Sequence, residues 1–200
     1  MAVTRIKAPT HCQENYINRK SFQSVILQAV CDSKMHLLDV TCGWPGSVHD
    51  SRYFKNSGLY DRIQRDSEGT FPNNTHLLGD SAYGHEKWKM TPYRDNGKLT
   101  QNQHRYNYIQ SSRRMVIGRT FGVLKDRFRR LKYVDIKDIK KIVKIVKSCC
   151  ILQHEYCLQH DDDCLVYIEE GVEDEINNYV NLLDGNAAAG ERKSFVNCYS

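Results

Sequence analysis

The sequence lacks the features that mark several common classes of protein. None of its apolar runs approaches the roughly 20 residues that a membrane-spanning helix needs. Met1 is not followed by the apolar segment of a secretory signal peptide, because Arg5 and Lys7 lead directly into Pro9. These absences predict an intracellular protein without a membrane partner.

Several motifs of enzymes and metal-binding proteins are also missing. None of the eight cysteines forms a C-x-x-C pair, so zinc-finger spacing is absent. The chain has no G-x-x-x-x-G-K-[ST] phosphate loop and no G-x-S-x-G nucleophile elbow. In a reducing compartment the cysteines are expected to be free thiols, several of them buried. Cys149 and Cys150 lie in an apolar segment, which favours a place in the core over a role as nucleophile.

The net charge of +5 hides an asymmetry along the chain. Residues 101–150 contain fourteen Lys or Arg and three Asp, a net charge of +11. Residues 151–200 contain eleven Asp or Glu and two Lys or Arg, a net charge of −9. A block as basic as 101–150 predicts an electrostatic footprint for nucleic acid. The alternative is a solvated helix face that the acidic segment neutralises.

The pattern of apolar residues in the first half predicts α/β architecture, with a mixed sheet flanked by helices. Short β-branched runs bounded by turn residues indicate strands. One helix is predicted to contain Gly58, and this glycine weakens it. The expected elements are a strand over Thr4–Pro9, a hairpin of Phe22–Cys31 and Met35–Cys42 around the turn Asp32–Lys34, a loop over Gly43–Asp50, a helix over Arg52–Asp66 and a strand over His76–Gly79.

Two long helices are predicted in the second half. The first starts at Ser111, after an irregular segment over 84–110, because apolar residues then recur at helical spacing up to Leu131. The second runs from about Ile136 to His160 and is basic in its first half and apolar in its second. Residues 161–200 are predicted to form an acidic, largely disordered tail with a helix candidate inside it, which leaves 1–160 as the folded domain.

The segment Leu77–Gly84 places Asp80 just beyond the carboxyl end of a predicted strand. Open α/β sheets present their chemistry at this position, and a carboxylate there can bind a hard divalent cation. The alternative is that Asp80 caps a following helix. Two-metal phosphoryl chemistry needs several carboxylates that converge from different elements, and Asp80 fits one of them.

Three segments are specific enough to compare with known families: W-P-G-S-V-H-D-S-R at 44–52, L-L-G-D-S-A-Y at 77–83 and R-x-F-G-x-L-K-x-R-F-R-x-L at 119–131. They resemble the PIF/Harbinger transposase family of DDE superfamily endonucleases and its domesticated, transposase-derived relatives. Shorter matches are I-K-A-P at 6–9, Y-I-N-R-K at 16–20, L-Q-A-V-C-D at 27–32 and C-C-I-L-Q-H at 149–154. The resemblance therefore covers residues 4–160.

The resemblance implies an RNase H-like fold and a nuclease that acts on DNA phosphodiesters with Mg²⁺ or Mn²⁺ as cofactor. It also implies a location in the nucleus, with the cytoplasm as a second site. Asp80 matches the second catalytic acid of the family. Asp50, in the H-D-S segment, matches another regular acidic position that serves as a metal ligand or as a group orienting one.

The sequence departs from the family pattern at two acids. The first acid belongs to a D-G-T-H-like segment that would fall before Met1, so the N-terminal first strand is expected to be missing. The third is a Glu in V-[IV]-E-R-x-F-G, and Gly118 stands in its place. Asp80 and Asp50 are then expected to hold one weakly bound cation at most.

The resulting prediction is a nuclease-type domain that is catalytically impaired in this chain. The alternative is a non-catalytic domesticated domain that binds DNA or a protein partner. DNA contacts are expected from the basic helix, through Arg113, Arg114, Lys125, Arg127 and Arg130.

Overall fold

A computed structural model describes residues 1–160, apart from the side chain of Asn74. The predicted tail over 161–200, with its helix candidate, lies outside the described residues. Among residues 1–160 no helix combines the length and the apolar character of a membrane span. The strands are β1 (Ala2–Ile6), β2 (Ser24–Cys31), β3 (Leu37–Pro45), β4 (Leu77–Leu78), β5 (Lys89–Met90) and β6 (Tyr133–Val134). The α-helices are α1 (Asp50–Lys55), α2 (Gly58–Arg65), α3 (Ser67–Thr70), α4 (Gln101–Arg127) and α5 (Ile139–Gln159).

A four-stranded sheet in the order β3-β2-β1-β6 forms the centre of the described part. β1 pairs antiparallel with β2 and parallel with β6, so the sheet is mixed. The prediction of α/β architecture with a mixed sheet is therefore confirmed. β1 is an inner strand with a neighbour on each side, and the expectation of a missing first strand stays a prediction.

The predicted hairpin is formed by β2 and β3, and its second strand is longer than expected. β3 continues through Gly43–Pro45, which was predicted as a loop. Proline is tolerated there because β3 lies at the edge of the sheet. Gly43 has a φ of 118°, and an added Cβ would lie 2.6 Å from Val143 Cγ2, so glycine allows α5 to pack closely on β3.

The helix predicted over Arg52–Asp66 is divided into α1 and α2. Ser57 lies between them in an extended conformation, with φ −94° and ψ 150°. Its hydroxyl accepts a hydrogen bond from Tyr60 N at 3.2 Å and so caps α2. The weak point inferred at Gly58 is thus the first residue of a separately capped helix.

The long helix α4 begins at Gln101, so the predicted start at Ser111 is wrong. Thr100 and Gln103 form a capping box, in which Gln103 N donates to Thr100 Oγ1 at 3.3 Å and Thr100 N donates to Gln103 Oε1 at 2.8 Å. The helix ends at Arg127, and Leu131 belongs to the following 3-10 turn. Leu131 is nevertheless only 1% exposed, because the turn folds it back onto the core.

The second long helix, α5, starts at Ile139, where Asp138 Oδ1 accepts hydrogen bonds from the amides of Lys140 and Lys141. One stripe of the helix is buried against β3 and consists of Ile142, Val146, Cys150, Gln153 and Cys157. The predicted basic first half is confirmed, since its lysines lie on the exposed side. The apolar second half is only partly buried, because Ile151, Leu152 and Leu158 are more than half exposed.

Two groups of apolar side chains cover opposite faces of β2. Val25 and Leu27 contact the first group, and Val30 contacts the second. The aliphatic core consists of Ile6, Val25, Leu27, Leu37, Phe121, Leu124, Leu131, Val134, Ile142, Val146 and Cys150. The aromatic cluster consists of Phe54, Leu59, Ile63 and Trp88, with Val30, Tyr60, Phe71, Leu77 and Tyr83 packed against them.

Candidate functional site

Asp80 lies directly after the short strand β4, as the sequence predicted. Gly79 N donates to Met90 O at 2.9 Å, which fixes the end of the strand against β5. Asp80 Oδ1 accepts a hydrogen bond from Ala82 N at 2.9 Å, and Tyr83 N donates to Asp80 O at 3.1 Å. These bonds form a turn and no helix follows, so the alternative of Asp80 as a helix cap is wrong.

Asp50 is the first residue of α1 and is half-buried. The positive end of the helix dipole favours a carboxylate at this position. Burial raises the pKa of Tyr83, and the negative charges of both Asp50 and Asp80 raise it further. The negative charges of the two predicted acids therefore act on the same phenol.

The Met1 amino group is a second neighbour that both carboxylates share. Burial lowers the pKa of this amino group, the charges of Asp50 and Asp80 act in the opposite direction, and the charge of Arg114 lowers it further. Met1 precedes β1, so four parts of the chain contribute charges to one region: the start of β1, α1, the Asp80 turn and α4.

The aromatic cluster holds α1 against the turn that contains Asp80. Phe54, one helical turn after Asp50, packs edge-on against Tyr83 with ring centroids 5.7 Å apart. The ammonium of Lys89 lies 5.1 Å from the Phe54 centroid and 4.8 Å from that of Trp88, and it contacts Glu86 Oε1 at 3.2 Å. Only 5% of the Lys89 side chain is exposed, so a nearly buried cation ties these elements together.

The helix α4 reaches the site through Gln110, a residue that the sequence analysis missed. Gln110 is 4% exposed, and its Nε2 donates to Gly79 O at 2.7 Å. Arg114 lies one turn later on the same face, and its buried Nε has no hydrogen-bond partner among the described residues. The capping-box sequence Thr100-x-x-Gln103 is the signal that would have placed Gln110 on a helix.

Gly118 lies one further turn along this face of α4. A Cβ added at Gly118 would meet no atom within 4 Å, so the position has room for a side chain. The chain places no carboxylate there. Of the three catalytic acids that the family resemblance implied, the described residues thus contain one, Asp80, and Asp50 is the further acidic position.

The described residues do not fit a two-metal centre. Nowhere in residues 1–160 do three or more His, Cys, Asp or Glu side chains gather so that they could hold a metal ion. The buried Nε of Arg114 has no hydrogen-bond partner among the described residues and is a donor for an anion. Asp50 and Asp80 are the only two predicted ligands that the structure brings together here.

The five predicted DNA-contacting residues have different surroundings. Arg113 and Arg130 are exposed, and Arg114 is half-buried. Lys125 is half-buried and donates from Nζ to Val3 O at 3.0 Å, and burial lowers its pKa. Arg127 lies 3.6 Å from the Tyr156 ring centroid and donates to Gln153 Oε1 at 2.7 Å. Lys125 and Arg127 thus also join α4 to β1 and α5.

No disulfide bond joins the cysteines of residues 1–160. Cys150 is 2% exposed within the aliphatic core, and burial raises its pKa to about 12. The interpretation of Cys150 as a core residue is therefore confirmed, since a thiol with this pKa is protonated at neutral pH.

The structure defines a mixed α/β domain with acidic side chains placed after a strand and at a helix start. A sequence profile described as DDE superfamily endonuclease matches residues 2–154. The chain belongs to this family. Members of the family usually use divalent metal ions, whereas residues 1–160 contain no three-ligand metal site.

Individual relatives agree with the family assignment. The human protein named Putative nuclease HARBI1 is 34% identical over 161 residues, which cover 79% of this chain and 44% of the relative. The Arabidopsis thaliana protein named ALP1-like is 33% identical over 154 residues, which cover 71% of this chain and 37% of the relative. The chain thus spans less than half the length of these relatives. No solved structure matches the chain.

Proposed function

We propose that this chain is a transposase-derived nuclease-type domain that binds the phosphodiester backbone of DNA. We infer that this amino-acid sequence impairs its catalytic activity. The observation that supports this most directly is the face of α4 that borders Asp80. It presents Arg114, with a buried unpartnered Nε, and Gly118, with open space above it, where the family resemblance implied an acid. An arginine with a spare donor suits a phosphate oxygen.

The proposed impairment follows from the number of carboxylates. Two metal ions about 3.5–4 Å apart need several carboxylates that converge on them. Asp50 and Asp80 supply two, and Gly118 supplies none. We infer that the pair binds one divalent ion weakly and does not assemble the centre that activates water.

The proposed DNA surface includes Arg113, Arg114, Lys125, Arg127 and Arg130. It lies within the block of net charge +11, and the sequence contains no recognisable base-reading motif. Binding is therefore expected to depend on phosphate contacts, with little sequence preference. Because Lys125 and Arg127 also hold α4 to its neighbours, the exposed Arg130 is a better residue for mutational tests.

An RNase H-like arrangement and a nuclear location belong to the same proposal. The order β3-β2-β1-β6, with antiparallel β1, β2 and β3 and parallel β6, supports such an arrangement. A protein that binds DNA is expected in the nucleus, with the cytoplasm as a second location.

Nicking of supercoiled plasmid tests the proposed impairment. The chain as written and the Gly118→Glu variant are expected to leave plasmid intact in Mg²⁺ and in Mn²⁺. A protein that combines Gly118→Glu with an upstream D-G-T-H-like extension is the smallest change expected to produce nicks. Cleavage by the unmodified chain that disappears on Asp80→Asn would contradict the impairment.

Salt titration of DNA affinity tests the binding half of the proposal. Each neutralised phosphate releases counterions, so affinity for duplex DNA is expected to fall steeply as salt rises. Arg130→Gln should weaken binding of unrelated duplexes equally and reduce the salt slope by about one. The control is Lys87→Gln, which removes an exposed charge from outside the basic block. Affinity that stays constant between low and moderate salt would contradict phosphate contact.

The alternative is a domesticated domain whose ligand is a protein. This alternative also predicts that plasmid is not cleaved. It differs in the salt titration, because it predicts that the chain does not bind DNA at any salt concentration. A groove at the edge of the sheet provides a specific reason to retain this candidate.

A further inference from the structure

An open groove of about 700 Å³ lies along β3, outside the candidate site. Its walls include Asp39–Thr41 of β3, Leu59, Arg62 and Arg65 of α2, and Lys147 of α5. Successive side chains of a strand point to opposite faces, so three consecutive lining residues place the groove at the strand edge. Leu59 belongs to the aromatic cluster and α5 packs on the aliphatic core, so one helix flanks the groove on each face of the sheet.

The backbone of β3 is available at this edge. β3 is the outermost strand of the order β3-β2-β1-β6, and no other strand of residues 1–160 pairs with its outer side. Pairing with β2 is regular from Asp39 to Cys42, and register shifts occur on both sides of this run. Alternate residues of an antiparallel edge strand direct N–H and C=O groups outward, so this run can accept one more strand.

The groove has positive charge on both flanks. Arg62 and Arg65 stand on the α2 side and Lys147 on the α5 side, against Asp39 and Asp66. The Arg62 side chain is 61% exposed and only loosely paired, with Nη2 3.4 Å from Asp39 Oδ1. The lysines of α5 add to this charge, because the helix contains no acidic residue before Glu155.

We propose that this groove binds an extended acidic segment of a partner protein by strand addition to β3. The segment's backbone pairs with Asp39–Thr41, and its acidic side chains alternate between Arg62 and Arg65 on one face and Lys147 on the other. A nucleic-acid backbone offers acceptors to the arginines and no N–H donors to the outward carbonyls of β3. A peptide satisfies both kinds of group, which is why the geometry favours it.

The direct test uses a labelled peptide that repeats two Glu followed by two Val, which directs carboxylates to both faces of an added strand, and measures its binding by fluorescence anisotropy. The double variant Arg65→Glu with Lys147→Glu should weaken binding about tenfold, because both flanks then repel the peptide. Lys140→Glu is the matched control, since it reverses an exposed charge of α5 that does not line the groove. Equal weakening by Lys140→Glu and by the double variant would overturn the proposal.

Two further arms identify the occupant and the edge. A peptide of the same sequence with alternate N-methylated amides cannot add as a strand and should not bind, and amide NMR shifts caused by the unmodified peptide should centre on Asp39–Thr41. Equal binding of the methylated peptide, or shifts elsewhere, would overturn strand addition. If oligothymidylate binds more tightly than the peptide and the double variant weakens that binding, the occupant of the groove is nucleic acid and the peptide proposal is wrong. Thermal melting of each variant confirms that the fold is retained.

Discussion

The two faces of the central sheet are covered by different kinds of side chain. The aliphatic core contains branched side chains from regular elements and two long helices, and no charged group lies within it. The aromatic cluster is assembled from short elements, encloses the ammonium of Lys89 and has Asp50 and Asp80 at its margin. One face of β2 therefore holds the fold together, whereas the elements on the other face carry the two carboxylates.

The largest effect is expected from truncation in the aliphatic core. Leu124 is fully buried, and Leu124→Ala should lower the free energy of unfolding by about 3 kcal/mol because it leaves a cavity. Met115→Ala on the same helix is the control, since Met115 is 40% exposed and its truncation should change stability little. Urea denaturation measures both. Equal losses at the two positions would contradict the assignment of Leu124 to the structural core.

A smaller effect is expected from removal of the buried cation in the aromatic cluster. Lys89→Ala loses contact with the rings of Phe54, Tyr83 and Trp88 and should destabilise the fold by about 2 kcal/mol. Lys87→Ala, an exposed neighbour, should have no measurable effect. If Lys89→Ala and Lys87→Ala have the same free energy of unfolding in urea denaturation, Lys89 does not join α1 to the Asp80 turn.

Substitution of Asp80 separates a structural role from a binding role. Asp80→Asn keeps the oxygen that accepts from Ala82 N, so stability without metal should stay nearly unchanged, whereas any affinity for Mn²⁺ should disappear. Asp80→Ala also loses this hydrogen bond and should destabilise the fold by about 1 kcal/mol. Calorimetry with and without Mn²⁺ distinguishes the variants. A domain that unfolds on Asp80→Asn without metal would show that the carboxylate is structural.

The smallest effect is expected at Gly118. Gly118→Glu should stabilise α4 by about 0.5 kcal/mol, because glutamate is the better helix former and nothing obstructs its side chain. Gly122→Glu is a matched control on the same helix, since an added Cβ there also meets no atom within 4 Å. Thermal unfolding measures both variants. If Gly118→Glu destabilises the fold and Gly122→Glu does not, the new carboxylate is repelled by Asp50 and Asp80. Position 118 would then lie close to these two acids.

Prediction from sequence was most successful where the pattern of apolar residues was regular. The β2–β3 hairpin and the buried positions Phe121 and Leu124 follow from such patterns and are confirmed. The start of α4 was placed at Ser111 because the segment before it has no apolar periodicity. That segment is helical because of the Thr100–Gln103 capping box and because Gln110 bonds to Gly79 O.

The sequence by itself determined the family, the mixed α/β architecture and the candidate acids, because segments such as L-L-G-D-S-A-Y are local and specific. Only the tertiary structure decided what surrounds those acids. The fold brings the charges of both Asp50 and Asp80 to act on Tyr83, and it brings Arg62 and Lys147 to opposite flanks of β3. The physical reason is that charge, burial and unpaired donors depend on distances through space, which packing on the two faces of one sheet sets.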